Sequence, residues 1–133
     1  MTSPAELAGT WRLGRRVHDR RLGAFGTVTG TLTLEPADDG LRWLERGRFL
    51  FAGQRFDSSR ELLLTPDGHG GGWTMRFADG GVFHPWRPGE VVTHPCRADM
   101  YRGLVDVAPQ RLRILWDVTG PAKDQRLVTR CTR

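Results

Sequence analysis

The chain has 133 residues, 38% of them hydrophobic and 26% charged, with a formal net charge of +5 and a pI near 10.5. That suffices for one hydrophobic core and not for two, so residues 1–133 are read as a single domain. Charges or glycines interrupt every apolar run before the roughly 18 residues a membrane-spanning helix needs, and two cysteines, Cys96 and Cys131, make no disulfide framework.

The first residues are polar and carry no leader-like apolar stretch, so the expectation is a cytoplasmic protein with free thiols and no membrane partner. Ser3-Pro4-Ala5-Glu6 sets a capping residue, a proline at the first helical position and a glutamate three residues after the cap, the signature of a short helical turn. Gly9-Thr10-Trp11 then opens a strand running to Val17. Phe25 to Glu35 alternates, with threonines 27, 29, 31 and 33 on one face and Gly26, Val28, Gly30, Leu32 and Leu34 on the other, and Pro36 to Gly40 turns the chain. Leu41 to Phe51 alternates again and places Glu45 in a row with Trp43, Phe49 and Phe51. In the next strand Arg60 is the odd member of a row with Phe56, Leu62 and Leu64. A glycine-rich loop, Thr65 to Gly72, precedes the hairpin of Trp73–Phe77 with Val82–Trp86, and three further runs follow: Val91 to Cys96, Met100 to Val107 and Leu112 to Thr119. Gly120-Pro121-Ala122 leads to a last strand, Asp124 to Thr132.

About nine strands in consecutive hairpins predict an all-β, single antiparallel up-and-down barrel with a short N-terminal helical turn. A turn leading into Gly9-x-Trp11, followed only by strands, resembles the calycin (lipocalin-like) barrels. That resemblance implies a ligand cup, a tryptophan closing one end, and an arginine of the last strand over its ring; Arg130 is the matching residue, with Arg126 the alternative if the register shifts. Asp99-x-Tyr101-x-Gly103, Trp116-x-Val118-x-Gly120-Pro121-x-Lys123-Asp124 and the Thr129-Arg130 ending are similar to a group of small bacterial and fungal proteins known as a domain of unknown function.

Three groups of residues could carry chemistry. His84, His94 and Cys96 include ligand types suited to zinc or iron, but both histidines precede prolines and read first as strand-ending imidazoles bonded to backbone, so neither metal nor cofactor is assigned. His69-Gly70-Gly71-Gly72 imitates an oxyanion-hole loop, yet no Gly-x-Ser-x-Gly elbow accompanies it. Arg15, Glu45 and Arg60 each fall by parity among apolar neighbours, where a charge must be paired, either with each other or with a ligand.

The resulting expectation is a cup for a small, largely apolar ligand bearing a polar or acidic group. Trp11, Arg15, Trp43, Glu45, Arg60 and Arg130 line or close it, and His84, His94 and Tyr101 stand near its mouth. The alternative is an isomerase, cyclase or lyase in the same cup, with His94 or Glu45 as base and Tyr101 as acid. A nucleic-acid-binding barrel ranks third. Nineteen of the 20 basic residues are arginine, but they sit singly or in pairs among acidic residues, and the tryptophans fall on the inward parity. Association into a homodimer is left open.

Overall fold

The computed structural model describes residues 2–133. A one-turn 3-10 helix, Pro4–Leu7, precedes ten strands: β1 (Gly9–Asp19), β2 (Ala24–Ala37), β3 (Gly40–Phe51), β4 (Gln54–Pro66), β5 (Trp73–Phe77), β6 (Val82–Trp86), β7 (Val91–Cys96), β8 (Asp99–Ala108), β9 (Arg111–Thr119) and β10 (Asp124–Thr132). These coincide with the runs read from the sequence, which counts about nine. The turn is capped as its residue types dictate: the Ser3 backbone N–H donates to the Glu6 carboxylate at 2.9 Å.

The strands form one antiparallel sheet in the order β6-β5-β4-β3-β2-β1-β10-β9-β8-β7. The first and last strands are therefore neighbours, paired from Arg12 opposite Thr132 to Asp19 opposite Gln125. Closure is nearly complete. The remaining seam lies in mid-chain, between β6 and β7, where no backbone ladder forms. Side chains fill it: the His94 ring lies edge-on to Phe83 at 5.3 Å and to Phe77 at 5.7 Å.

Period-two alternation decides what faces inward. Leu13, Val28, Leu32, Leu34, Trp43, Leu62, Leu64, Val105, Leu112, Ile114 and Val118 are all buried, as their parity requires. Gly30 and Gly47 face each other across β2 and β3. A Cβ on Gly30 would collide with the Arg46 carbonyl oxygen and lie 2.5 Å from the Gly47 Cα, so only glycine lets these two strands bend so close together.

Successive connections of such a meander alternate between the two ends. The connections at 38–39, 67–72, 87–90 and 109–110 lie at the end that the N-terminal helix covers; those at 20–23, 52–53, 78–81, 97–98 and 120–123 lie at the other. Trp11 plugs the covered end. It is 1% exposed, its indole N–H donates to the Leu7 carbonyl at 3.0 Å, and an arginine lies 4.2 Å over its ring. That arginine is Arg133 rather than Arg130 or Arg126. Inward parity on β10 belongs to Thr129 and Cys131, so Arg130 is exposed on the outer wall opposite Gly14 and Arg113, and Arg126 pairs with Asp117 outside. Arg133 lies beyond the strand's end and is free to fold across the barrel floor, where it donates to the carbonyls of Glu6, Ala8 and Pro109.

Gly30→Ala is expected to destabilise the fold by about 2 kcal/mol or more through forced separation of β2 and β3. Ala at Gly53, whose added Cβ meets nothing within 4 Å but whose φ is +76°, is expected to cost less, about 1 kcal/mol. Urea unfolding of the two variants checks the order.

Candidate functional site

The uncovered end of the barrel holds a cavity of about 330 Å³. Its lining comes from the inward rows of β10, β1, β2, β3 and β4: Val17, Val28, Phe49, Phe51 and Leu127 supply apolar walls, Ser58, Gln125 and Asp19 supply polar edges, and Arg15 supplies a guanidinium.

Arg15 is held from behind. Its Nε donates to the Thr129 hydroxyl at 2.7 Å, and one terminal nitrogen donates to Glu45 Oε1 at 2.8 Å. Glu45 Oε2 accepts from the Trp43 indole at 2.8 Å and from Arg60 at 2.9 Å. The carboxylate thus takes three donors while only 5% of the residue is exposed. Register explains the convergence: Glu45 lies opposite Arg60 on β4 and opposite Leu32 on β2, while Arg15 lies opposite Thr129 on β10, and all four polar residues point inward. Two guanidinium groups against one carboxylate leave the constellation with a net positive charge. The second terminal nitrogen of Arg15 has no protein partner among the described residues, and Arg60 is 39% exposed in its side chain.

Burial pushes the Glu45 carboxyl up, but the charges of Arg60 and Arg15 and the hydrogen bonds of Arg60 and Trp43 outweigh it and hold the group below its ordinary 4.5. A base working near neutrality would need the opposite shift; as placed here, Glu45 anchors two arginines.

The other candidates sit in two places. Trp11 and Trp43 are packed into the core, and neither lines the cavity. His84, His94 and Tyr101 join Phe83 and Trp116 in an aromatic cluster along the seam. Phe83 stacks on Trp116 at 5.1 Å, His84 meets Trp116 edge-on at 5.2 Å, and His94 meets Tyr101 edge-on at 6.0 Å. His84 Nδ1 lies 2.8 Å from the Pro85 carbonyl oxygen, which assigns the proton to that nitrogen, and burial pulls the ring's pKa below its usual value. The imidazole of His84 is thus bonded to backbone, but neither histidine ends its strand: His84 lies within β6 and His94 within β7, each followed by further paired residues. Among the described residues no group of three or more His, Cys, Asp or Glu is arranged to hold a metal. Cys131 is buried and its thiol is pushed up to about 12, chiefly by burial, so it is inert; Cys96 is exposed.

With the barrel and its cup described, the chain can be compared with known proteins. The chain belongs to a family of unknown function, DUF6314, whose match spans residues 7–133. No curated protein matches it. Among solved structures, the S-type phycobiliprotein lyase CPES from Guillardia theta superimposes with a TM-score of 0.68 over 97% of this chain and 89% of that one, at 13% identity. A likeness at that identity concerns the fold, and it makes this DUF6314 member a calycin-like barrel. Among the described residues, no helix is long and apolar enough to cross a membrane.

Of the residues that line the cup, sequence reading singled out Arg15 alone; on β10 it missed Thr129, which orients Arg15, and Gln125 and Leu127, which line the cavity. Their signal was the odd-numbered inward row of β10, hidden because Arg126 and Arg130 drew the reading to the opposite face.

Because the folded-state pKa of Glu45 is lowered, its stabilising contribution is full above the ordinary value and is lost as pH falls through the folded value. Glu45→Gln should therefore cost about 3 kcal/mol at neutral pH, since it leaves two clustered guanidinium groups without their counter-charge. The deficit should shrink as the solution is acidified. Chemical denaturation of both proteins across the acid range measures it.

Proposed function

We propose that the barrel binds a small, largely apolar molecule that carries a carboxylate or similar acidic group. The observation that carries this reading is Arg15: a guanidinium at the edge of a cavity with otherwise mainly apolar walls, fixed from behind by Glu45 and Thr129, with one nitrogen unsatisfied by protein. Such a group is pre-oriented before any ligand arrives, which lowers the ordering cost of binding, and a charge-assisted hydrogen bond in a shielded site discriminates strongly between an anion and its neutral analogue. Apolar walls with a few fixed polar groups are the usual composition of small-molecule sites, and 330 Å³ is at the small end of their range. One structural neighbour is a phycobiliprotein lyase, which supports a ligand-handling role for a barrel of this shape. Free thiols at Cys96 and Cys131 fit a reducing, cytoplasmic setting.

Proton transfer is the second reading, and one arrangement at the seam, outside the lining of the cup, favours it. Tyr101 lies beside His94, and Lys123, whose ammonium is 3.3 Å from the Asp99 carboxylate, is near enough to the phenol for the two to interact. A phenol between an imidazole and an ammonium is suited to give a proton to a developing oxyanion.

Calorimetric titration with dodecanoate and dodecanol separates anion recognition from apolar partition. Dodecanoate should bind at least about tenfold more tightly than the alcohol, and Arg15→Gln should abolish that preference while leaving dodecanol binding nearly unchanged. Equal affinity of the unaltered protein for the two would refute the proposal. Tyr101→Phe should leave both affinities intact; under the second reading the same variant loses turnover of a bound substrate.

A further inference from the structure

The large apolar side chains left in solvent are not scattered. Leu22, 68% exposed, lies in the first connection of the uncovered end and Phe25, 63% exposed, just after it; Leu50 and Phe56 flank the second. Phe77 and Val82 flank the third, and Met100 follows the fourth. Among the described residues, Val91 alone of the exposed large hydrophobics belongs to the covered end. The mouth of the cup therefore wears an apolar collar, carried on the tips of separate hairpins and not gathered into one flat patch.

Beside the collar lies a basic groove of about 200 Å³ on the outer wall of β1, β10 and β9, running from the stacked pair His18 and Phe25 down past Arg16, Arg113, Arg126 and Arg130. Arg126 is neutralised by Asp117, but Arg16, Arg113 and Arg130 make no hydrogen bond or ion pair with any described residue. Cross-strand placement puts Arg130 directly opposite Arg113, a like-charge juxtaposition that costs stability unless an anion sits between them.

We propose that the open end is a docking surface for an anionic lipid bilayer, with the collar entering the headgroup boundary and the arginine groove holding a lipid phosphate. The two features complement the two layers such a surface presents, apolar chains beneath a negatively charged plane. Hairpin tips spaced around an opening suit shallow insertion into a fluid interface better than they suit a second folded protein, whose interface would need a continuous, well-packed core. The absence of a span-length apolar run, from which no membrane partner was expected, bears on crossing a bilayer and not on resting against one. The net charge of +5 acts in the same direction. Docking here would present the mouth of the cup to the membrane, so that an amphipathic molecule could pass between the two without entering water. The surface itself does not depend on what the cup holds.

Flotation of the whole protein with phosphatidylcholine vesicles, with and without about 30 mol% phosphatidylglycerol, tests this. Strong association is expected only with the anionic vesicles. Leu22→Ser combined with Phe25→Ser should weaken it by about tenfold or more, and Arg113→Gln combined with Arg130→Gln by a similar factor, the latter with a reduced salt dependence. All four positions lie outside the core, so dodecanoate binding in solution should be unchanged in both variants; thermal melting should fall in neither and should rise slightly for Arg113→Gln combined with Arg130→Gln, which removes the like-charge pair, and Arg15→Gln should float as well as the unaltered protein. Failure of the cup reading thus leaves flotation intact, and failure of docking leaves dodecanoate binding intact. The proposal is overturned if anionic vesicles bind no better than neutral ones, if the collar variant floats undiminished, or if the groove instead retains single-stranded oligonucleotides while vesicles are ignored.

Discussion

A carboxylate inside a β-barrel has to be neutralised where it stands, because the interior cannot solvate it. Glu45 meets that constraint with two guanidinium groups and an indole N–H, and the rest of the cup follows from how those donors are supplied. Arg15 comes from β1, Glu45 and Trp43 from β3, and Arg60 from β4, so the cluster ties one side of the barrel together through side chains as well as through its ladders. It also divides the interior. Toward the covered end the space is filled with Trp11, Trp43, Leu32, Leu34 and Leu112; toward the open end the rows of Val17, Val28 and Phe49 enclose room for a guest. Arg15 sits at that boundary and faces both.

The same pairing gives the cup its chemical sense. A lone buried arginine would collapse onto whatever acceptor it could reach. Backed by Glu45 and Thr129, Arg15 keeps its direction while the excess positive charge of the cluster remains available. The interaction that stabilises the fold and the one expected to recognise an anion are two faces of a single group, so substitutions there change stability and recognition together.

Much of this architecture was legible in the residue pattern because period-two alternation leaves little freedom. Glu45 and Arg60 were visible as charged residues in apolar rows, and the structure pairs them directly across β3 and β4. What alternation cannot reveal is curvature and what lies beyond a strand's end. Arg133 over Trp11 was missed for the second reason, since a residue past the ladder has no parity. The cavity's position was missed for the first: which stretch of an inward row encloses space depends on strand bend and tilt, and Trp11 and Trp43, read as lining, are packed solid. The collar was hidden for a related reason, because Phe25, Leu50 and Met100 sit at different hairpins and only closure of the sheet brings them to one rim.

The seam between β6 and β7 has a consequence for connectivity. Read around the sheet from one free edge to the other, the strands run β7, β8, β9, β10, β1 and on to β6, with the chain's own ends meeting in the interior of the sheet and Arg133 bonded to the carbonyls of Glu6 and Ala8. The first and last strands are thus stitched together, while the covalent link at 87–90 spans the one seam of the described sheet. A circular permutant opened at 87–90 and joined across the old ends would be an unbroken meander in which every pair of neighbouring strands is also consecutive in sequence. By its hydrogen bonding, this barrel is already that simpler protein, cut at a different point.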